Sequence, residues 1–187
     1  MNKSFAISKG NILLAEPFMM GPHFKNAVVL ITEHNEEHGT VGFIINKSLN
    51  LSMEQAVDEF PEISMDLLYG GPVQTDTLHY IHTYGDILDD SVHISGNLYW
   101  GGNFTKLKAL INQKLINSNG IRFFLGYSGW SPGQLREEYE EGTWILSNID
   151  ANYIFNTDLS RVWPRAVADL GKEFTVIARM PGTIHWN

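Results

Sequence analysis

The stretch IRFFLGYSGWSPGQLREEYEEGTWI, Ile121 to Ile145, carries strand, turn, helix and turn signals in succession. Ile121 to Tyr127 is almost wholly apolar, contains the rings Phe123 and Phe124, and shows no alternation, the pattern of a strand covered on both faces. It is expected to be a central strand. Ser128-Gly129-Trp130 then turns the chain, and Ser131-Pro132-Gly133-Gln134 reads as a helix start, with Ser131 as N-cap, Pro132 in the first helical position and Gln134 reaching back in a capping box. Gly142 supplies the stop. Leu135 and Tyr139 share a face at i, i+4, which leaves Arg136, Glu137, Glu138, Glu140 and Glu141 for solvent.

Outward from this stretch the chain continues without repeats or low-complexity tracts, and its 187 residues are read as one domain over 1–187. Asn11 to Pro17, Ala27 to Glu33 and Thr40 to Asn46 are expected strands, the last two joined by a hairpin loop from His34 to Gly39. Ser52 and Gln55 repeat the capping-box pattern and open a short helix ending near Phe60. Leu67 to Tyr69, Leu78 to Tyr84, Val92 to Ile94 and Leu98 to Trp100 are further strands, punctuated by Gly70-Gly71-Pro72 and Gly101-Gly102. Asn103 caps a helix with its apolar stripe at Phe104, Leu107, Leu110, Ile111 and Leu115. Thr143 to Ile149 and Tyr153 to Phe155 read as extended, Ser160 as the cap of a last helix, and Phe174 to Ala178 as an edge strand. Antiparallel strands with inserted helices give an α+β fold.

Composition narrows function by exclusion. Zero cysteines remove disulfides, thiolate nucleophiles and cysteine-based metal sites. A content of 43% apolar and 12% aromatic residues excludes disorder, while no apolar run reaches the ~18 residues of a membrane span. The N-terminus shows no secretory signal, so a cytoplasmic location is expected. Acids outnumber Lys plus Arg by 21 to 13, giving a formal charge of −8 that disfavours phosphate-driven nucleic-acid binding. Lys106, Lys108 and Lys114 read as the solvated face of one helix.

Several residues resemble the motifs of one family. Gly10-Asn11-Ile12-Leu13-Leu14-Ala15-Glu16-Pro17, Phe24, Glu33-His34, Gly39, Gly42 and Asn46 form an N-terminal signature, Gly70-Gly71-Pro72-Val73 a second motif, and Gly126-Tyr127-Ser128-Gly129-Trp130 with Gly133-Gln134-Leu135 and Trp144 a third. Together they resemble the AlgH-like, or YqgE, family of bacterial proteins over Gly10 to Gly171, leaving 172–187 as a C-terminal extension. The resemblance implies a largely antiparallel, bifurcated sheet rolled into a pseudo-barrel with flanking helices. It brings a family label of transcriptional regulator and no assigned activity. Where many members carry Arg-Ser before the second strand, this chain has Asn26-Ala27. An anion site built on that arginine would have lost its charge.

Few residues offer chemistry. His34 and His38 at i, i+4 suit a metal only on a helix, and the strands flanking them place them in a hairpin loop instead. His79 and His82 lie at odd spacing on one strand and point to opposite faces. Gly126-Tyr127-Ser128-Gly129 approaches the nucleophile elbow Gly-x-Ser-x-Gly, but Trp130 replaces the last glycine and the helix starts late. The N–H groups after Ser131, beside Gly70, Gly71 and Gly129, offer an anion cradle, opposed by Pro132 and by the caps themselves. Trp130 is either a plug over the core or an exposed anchor. The candidate binding residues are therefore His34, Asn46, Gly70, Gly71, Ser128, Gly129, Trp130 and Gln134, with no catalytic set, metal site or cofactor expected. Two functions stay open: a non-catalytic regulatory module that binds a protein partner, and a hydrolase or small-ligand enzyme using Ser128 with a histidine.

Overall fold

Strand β9, Ile121–Trp130, organises the sheet. The computed structural model describes residues 7–147, 153–156 and 158–171. Along one edge β9 pairs antiparallel with β6 (Val73–His82). On its other edge it first takes β5 (Asp66–Tyr69) in parallel, at Phe124 and Leu125, and then β3 (Gly39–Ile44) antiparallel, from Ser128 to Trp130. One strand thus holds two neighbours in turn along the same edge, and the sheet branches there.

The change of neighbour falls at Gly126, whose φ of +68° lies in the left-handed region that glycine enters without penalty. Phe124 packs on the same face of the sheet as Tyr127, an odd spacing that a regular strand forbids and a kink at Gly126 provides. β3 continues to β2 (Val28–Asn35), β1 (Ile12–Ala15) and β10 (Trp144–Ser147). β6 continues to β8 (Leu98–Trp100) and β7 (Val92–Ser95), while β5 carries β4 (Ser48–Ser52). Among the described residues ten strands result, antiparallel except at β5 and β9. The path ends at β10 and β7, and among the described residues no ladder joins them, so the sheet is open where a rolled pseudo-barrel was expected.

Among the described residues three apolar clusters cover the two faces. On one face Ile12, Leu14, Leu30, Phe43 and Phe124 lie beneath α4 (Tyr153–Asn156) and α5 (Leu159–Asp169), and the buried Trp163 indole of α5 donates to the Ala15 carbonyl at 3.0 Å. On the other face Leu67, Tyr80, Ile121 and Phe123 are covered by α1 (Met53–Ala56) and α2 (Phe104–Asn112). Further along, Leu13, Val29, Ile31 and Ile44 meet Leu135 of α3 (Gln134–Glu140) together with Trp130 and Trp144.

Local signals succeed where one side chain decides them. Ser52 and Gln55 form the reciprocal capping box of α1, and Asn103 caps α2 by accepting from the Lys106 N–H at 2.9 Å. The predicted start, with Ser131 as cap and Pro132 as first helical residue, is two residues early. Gly133 adopts φ +82°, which breaks the helical run, so α3 begins at Gln134 with no side-chain cap. Half of the predicted box survives, because the Gln134 side chain accepts from the Ser131 N–H at 2.9 Å. α5 is capped by Asp158 instead of Ser160, whose own N–H and hydroxyl donate to Asp158. α1 stops at Ala56, short of Phe60, and Tyr153 to Phe155 is helical because Arg122 of β9 holds its end, donating to the Phe155 carbonyl and lying over the Phe155 ring. Phe174 to Ala178 lies outside the described residues. No helix among the described residues is long and apolar enough to cross a membrane.

Candidate functional site

Most of the motif residues build a junction. The Gly70 N–H donates to the Leu125 carbonyl, and the Gly70 carbonyl accepts from the Ile44 N–H at 2.9 Å and the Ser128 hydroxyl at 3.1 Å. β3, the loop after β5 and β9 therefore meet at one residue, Gly70. A Cβ on Gly70 would stand 2.2 Å from the Gly126 carbonyl oxygen, and one on Gly71 2.4 Å from the backbone of Tyr127. The glycines of both motifs are thus required by two backbones in near contact. Ser128 is fully buried, and its hydroxyl is engaged with Gly70, which removes it as a nucleophile aimed at solvent.

The other candidates separate. Asn46 clasps two strands, its side chain accepting from the Val28 N–H and donating to the Asn26 carbonyl, both at 2.8 Å. Asn26, at the place where the resemblance gives many members an arginine, takes φ +55°, a conformation that asparagine tolerates. His34 lies on β2 rather than in a loop, with Nδ1 2.7 Å from the Thr40 hydroxyl. The turn beyond it is closed by Asn35, which accepts from the Glu37 and His38 N–H groups. Among the described residues no three metal-capable side chains converge.

Trp130 is a plug, only 6% exposed. Its indole N–H donates to Glu138 Oε2 at 2.9 Å, and the Trp144 indole donates to the same oxygen at 2.8 Å. Gln134 donates to Glu138 Oε1 at 2.8 Å. Glu138 therefore does not face solvent as its place in a charged run suggested. At i+3 from Leu135 it shares the inner face of α3, where one carboxylate satisfies two buried indoles.

The open feature of this region is a groove of about 500 Å3 beside the junction. Its floor is the sheet itself, where Val73 pairs with Tyr127 and Val41 with Gly129. Gly129 has no side chain to cover the floor, and Glu33, His38, Ser131 and Pro132 stand around it. Of the eight candidate residues, Gly129 and Trp130 line this groove and the other six do not. Tyr127, Val41 and Val73 were missed as a group, and the available signal was a glycine inside a strand, which marks an open or closely approached face.

Next to the groove Tyr127 meets His79 edge to face, with ring centroids 5.9 Å apart, and His79 in turn packs on Phe43 and Trp100. His79 and His82 do lie on opposite sides of β6. The His82 ring is fully buried: its Nδ1 accepts from the Tyr84 N–H at 3.0 Å, so Nε2 carries the proton that it donates to the Gly101 carbonyl at 2.8 Å. Burial holds the pKa of both histidines below the ordinary value, and for His82 the Gly101 carbonyl opposes the shift in part.

Comparison with known proteins agrees with this architecture. The AlgH-like family model matches residues 12–175. A UPF0301 protein of Chlorobaculum tepidum is 43% identical over 182 residues, 97% of each chain, and one of Cytophaga hutchinsonii is 38% identical over 176 residues, 94% of this chain and 96% of its own. The solution structure of the AlgH protein from Pseudomonas aeruginosa superposes with a TM-score of 0.73 at 28% identity, covering 97% of this chain and 99% of that one. A crystal structure from Corynebacterium diphtheriae shares the fold at TM-score 0.79 and 21% identity, over 94% and 93% of the two chains. The chain belongs to the AlgH-like family.

Proposed function

We propose that this AlgH-like protein is a non-catalytic, cytoplasmic binding module of one domain, which receives an extended segment of a partner protein in the groove over Tyr127 and Gly129. One observation carries the reading: the reactive group of the motif is engaged inside the fold, Ser128 with Gly70, while the adjoining strand face around Gly129 is left open. An extended segment suits a floor of bare backbone and flat apolar side chains, because it brings one side chain at a time against the sheet. Glu33 on the rim and the net charge of −8 favour a partner with basic residues beside its apolar ones. The regulatory role then works through that partner.

Selection of displayed peptides on the purified protein tests the reading, with counter-selection on Gly129→Arg, which fills the floor. Enriched peptides should combine Lys or Arg with large apolar residues and bind the substituted chain at least about tenfold more weakly than the parent. Peptides that bind both forms equally would place recognition elsewhere. Turnover of small acyl esters that disappears in Ser128→Ala would restore the hydrolase.

A further inference from the structure

The buried ring of His82 ties down one end of the sheet. β6 ends at this residue, residues 83–91 form a connecting segment, and β7 follows at Val92. The imidazole holds that segment near both of its ends. Nδ1 accepts from the Tyr84 N–H at 3.0 Å, while Nε2 donates to the Gly101 carbonyl at 2.8 Å and stands 3.2 Å from the Ser91 hydroxyl. Ser91 gives its own proton to the Leu88 carbonyl at 2.7 Å, so it faces an N–H and has no base beside it. His82 and Ser91 therefore form a structural tie and not a nucleophile with its base.

A second proton has no place in this arrangement. An imidazolium carries N–H on both nitrogens, so one of them must meet the Tyr84 N–H, donor against donor, and turning the ring over only exchanges which one. No counter-charge relieves the conflict. The rings of Tyr80, Tyr84 and Tyr99 surround the imidazole at centroid distances of 6.0, 6.4 and 6.0 Å, and its neighbour on β9 is Ile121. Among the described residues no carboxylate bonds to the ring, Asp86, Asp89 and Asp90 of the segment included, and Asp89 is held by Lys106 of α2 at 2.7 Å. Arg122 of β9 is turned to the Ser118 and Phe155 carbonyls, and His93 of β7 lies against Tyr99 with Nε2 3.0 Å from the Gly96 carbonyl. We infer that His82 is a proton-operated latch: its protonation detaches residues 83–91, and with them β7, and opens the edge of β8. β7 is the last strand on its side of the sheet, paired with β8 alone, and on it the Lys9 ammonium donates to the His93 carbonyl at 3.0 Å. Burial makes the closed ring a weaker base than the free side chain, so the latch is fully engaged above about pH 6.5 and loosens as pH falls below it.

The test follows amide hydrogen exchange and the 15N resonances of the imidazole in the full chain from about pH 7.5 to about pH 5. At the upper end His82 Nδ1 should resonate as a bare acceptor and Nε2 as an N–H; the opposite tautomer overturns the tie to Tyr84. Below about pH 6.5 the protection factors of Tyr84 and of the β7 and β8 amides should fall by up to about tenfold per pH unit, as uptake of one proton on opening requires, while β1 and β2 keep theirs. Protection that stays constant over the range, or that falls equally in β1 and β2, overturns the inference. His82→Asn offers an acceptor near the position of Nδ1 and takes up no proton in this range, so its β7 should open to the same extent at every pH. A variant that keeps the parent's pH dependence assigns the effect to another group, such as His79 or His93, and overturns the inference. If the substituted chain does not fold, the exchange and imidazole data on the parent decide alone. None of these outcomes bears on the groove over Gly129, whose lining contains neither His82 nor any residue it bonds.

Discussion

At the scale of single residues, Glu138 shows how a side chain can look solvated in sequence and be structural in the fold. It lies in the acidic run Glu137-Glu138-Tyr139-Glu140-Glu141, yet two indole donors and one amide donor converge on it. Glu138→Ala would leave the Trp130 and Trp144 N–H groups buried without acceptors, at a cost of about 3 kcal/mol for the pair. Ser131→Ala, by contrast, should change stability by less than about 0.5 kcal/mol, because its backbone N–H and not its hydroxyl is engaged. Urea melts of the two variants measure both, and equal losses would contradict this division of roles. The surface pair Arg136 and Glu36 contributes little beside them, being exposed on both sides.

At the scale of elements, what was legible in the sequence is what local chemistry decides. The Ser52 and Gln55 box, the Asn103 cap and the central strand at Ile121 were all readable because each is written in neighbouring residues. β4 was not, since Ser48 to Ser52 has little apolar content and is held by its pairing with β5. The first half of β6 was hidden by the polar run Gln74 to Thr77, where the register slips between Val73 and Leu78. Of the site, Gly129 and Trp130 were legible from the motif, whereas the floor at Val41 and Val73 depends on cross-strand register that no local window contains. The glycine junction gives this scale its prediction. Gly70→Ala puts a methyl 2.2 Å from the Gly126 carbonyl, which is backbone and cannot swing aside. The expected loss is at least about 3 kcal/mol, seen as a lowered denaturation midpoint, whereas Gly21→Ala, with open space around it, is nearly neutral. A Gly70→Ala chain as stable as the parent would remove the close crossing as the reason for these glycines.

At the scale of the whole molecule, charge decides what the surface meets. With −8 overall, and with Lys106 paired to Asp89 at 2.7 Å and Lys108 lying over the Phe104 ring, α2 offers no free basic face. Random duplex DNA titrated at low salt should therefore show no micromolar binding; affinity that falls steeply with added salt would reverse this reading. The branching of the sheet has a different consequence, in the order of events during synthesis. β9 is the element on which β3, β5 and β6 all close, and it is made after every one of them, while β1 gains its outer neighbour only when β10 has followed. A nascent chain that ends before Ile121 holds apolar strands whose shared partner does not yet exist, and non-local pairing of this kind is slow and exposed to aggregation. Assembly of the sheet waits for the ribosome to release the last third of the chain, so that the interval before release is when this protein most needs a chaperone's protection.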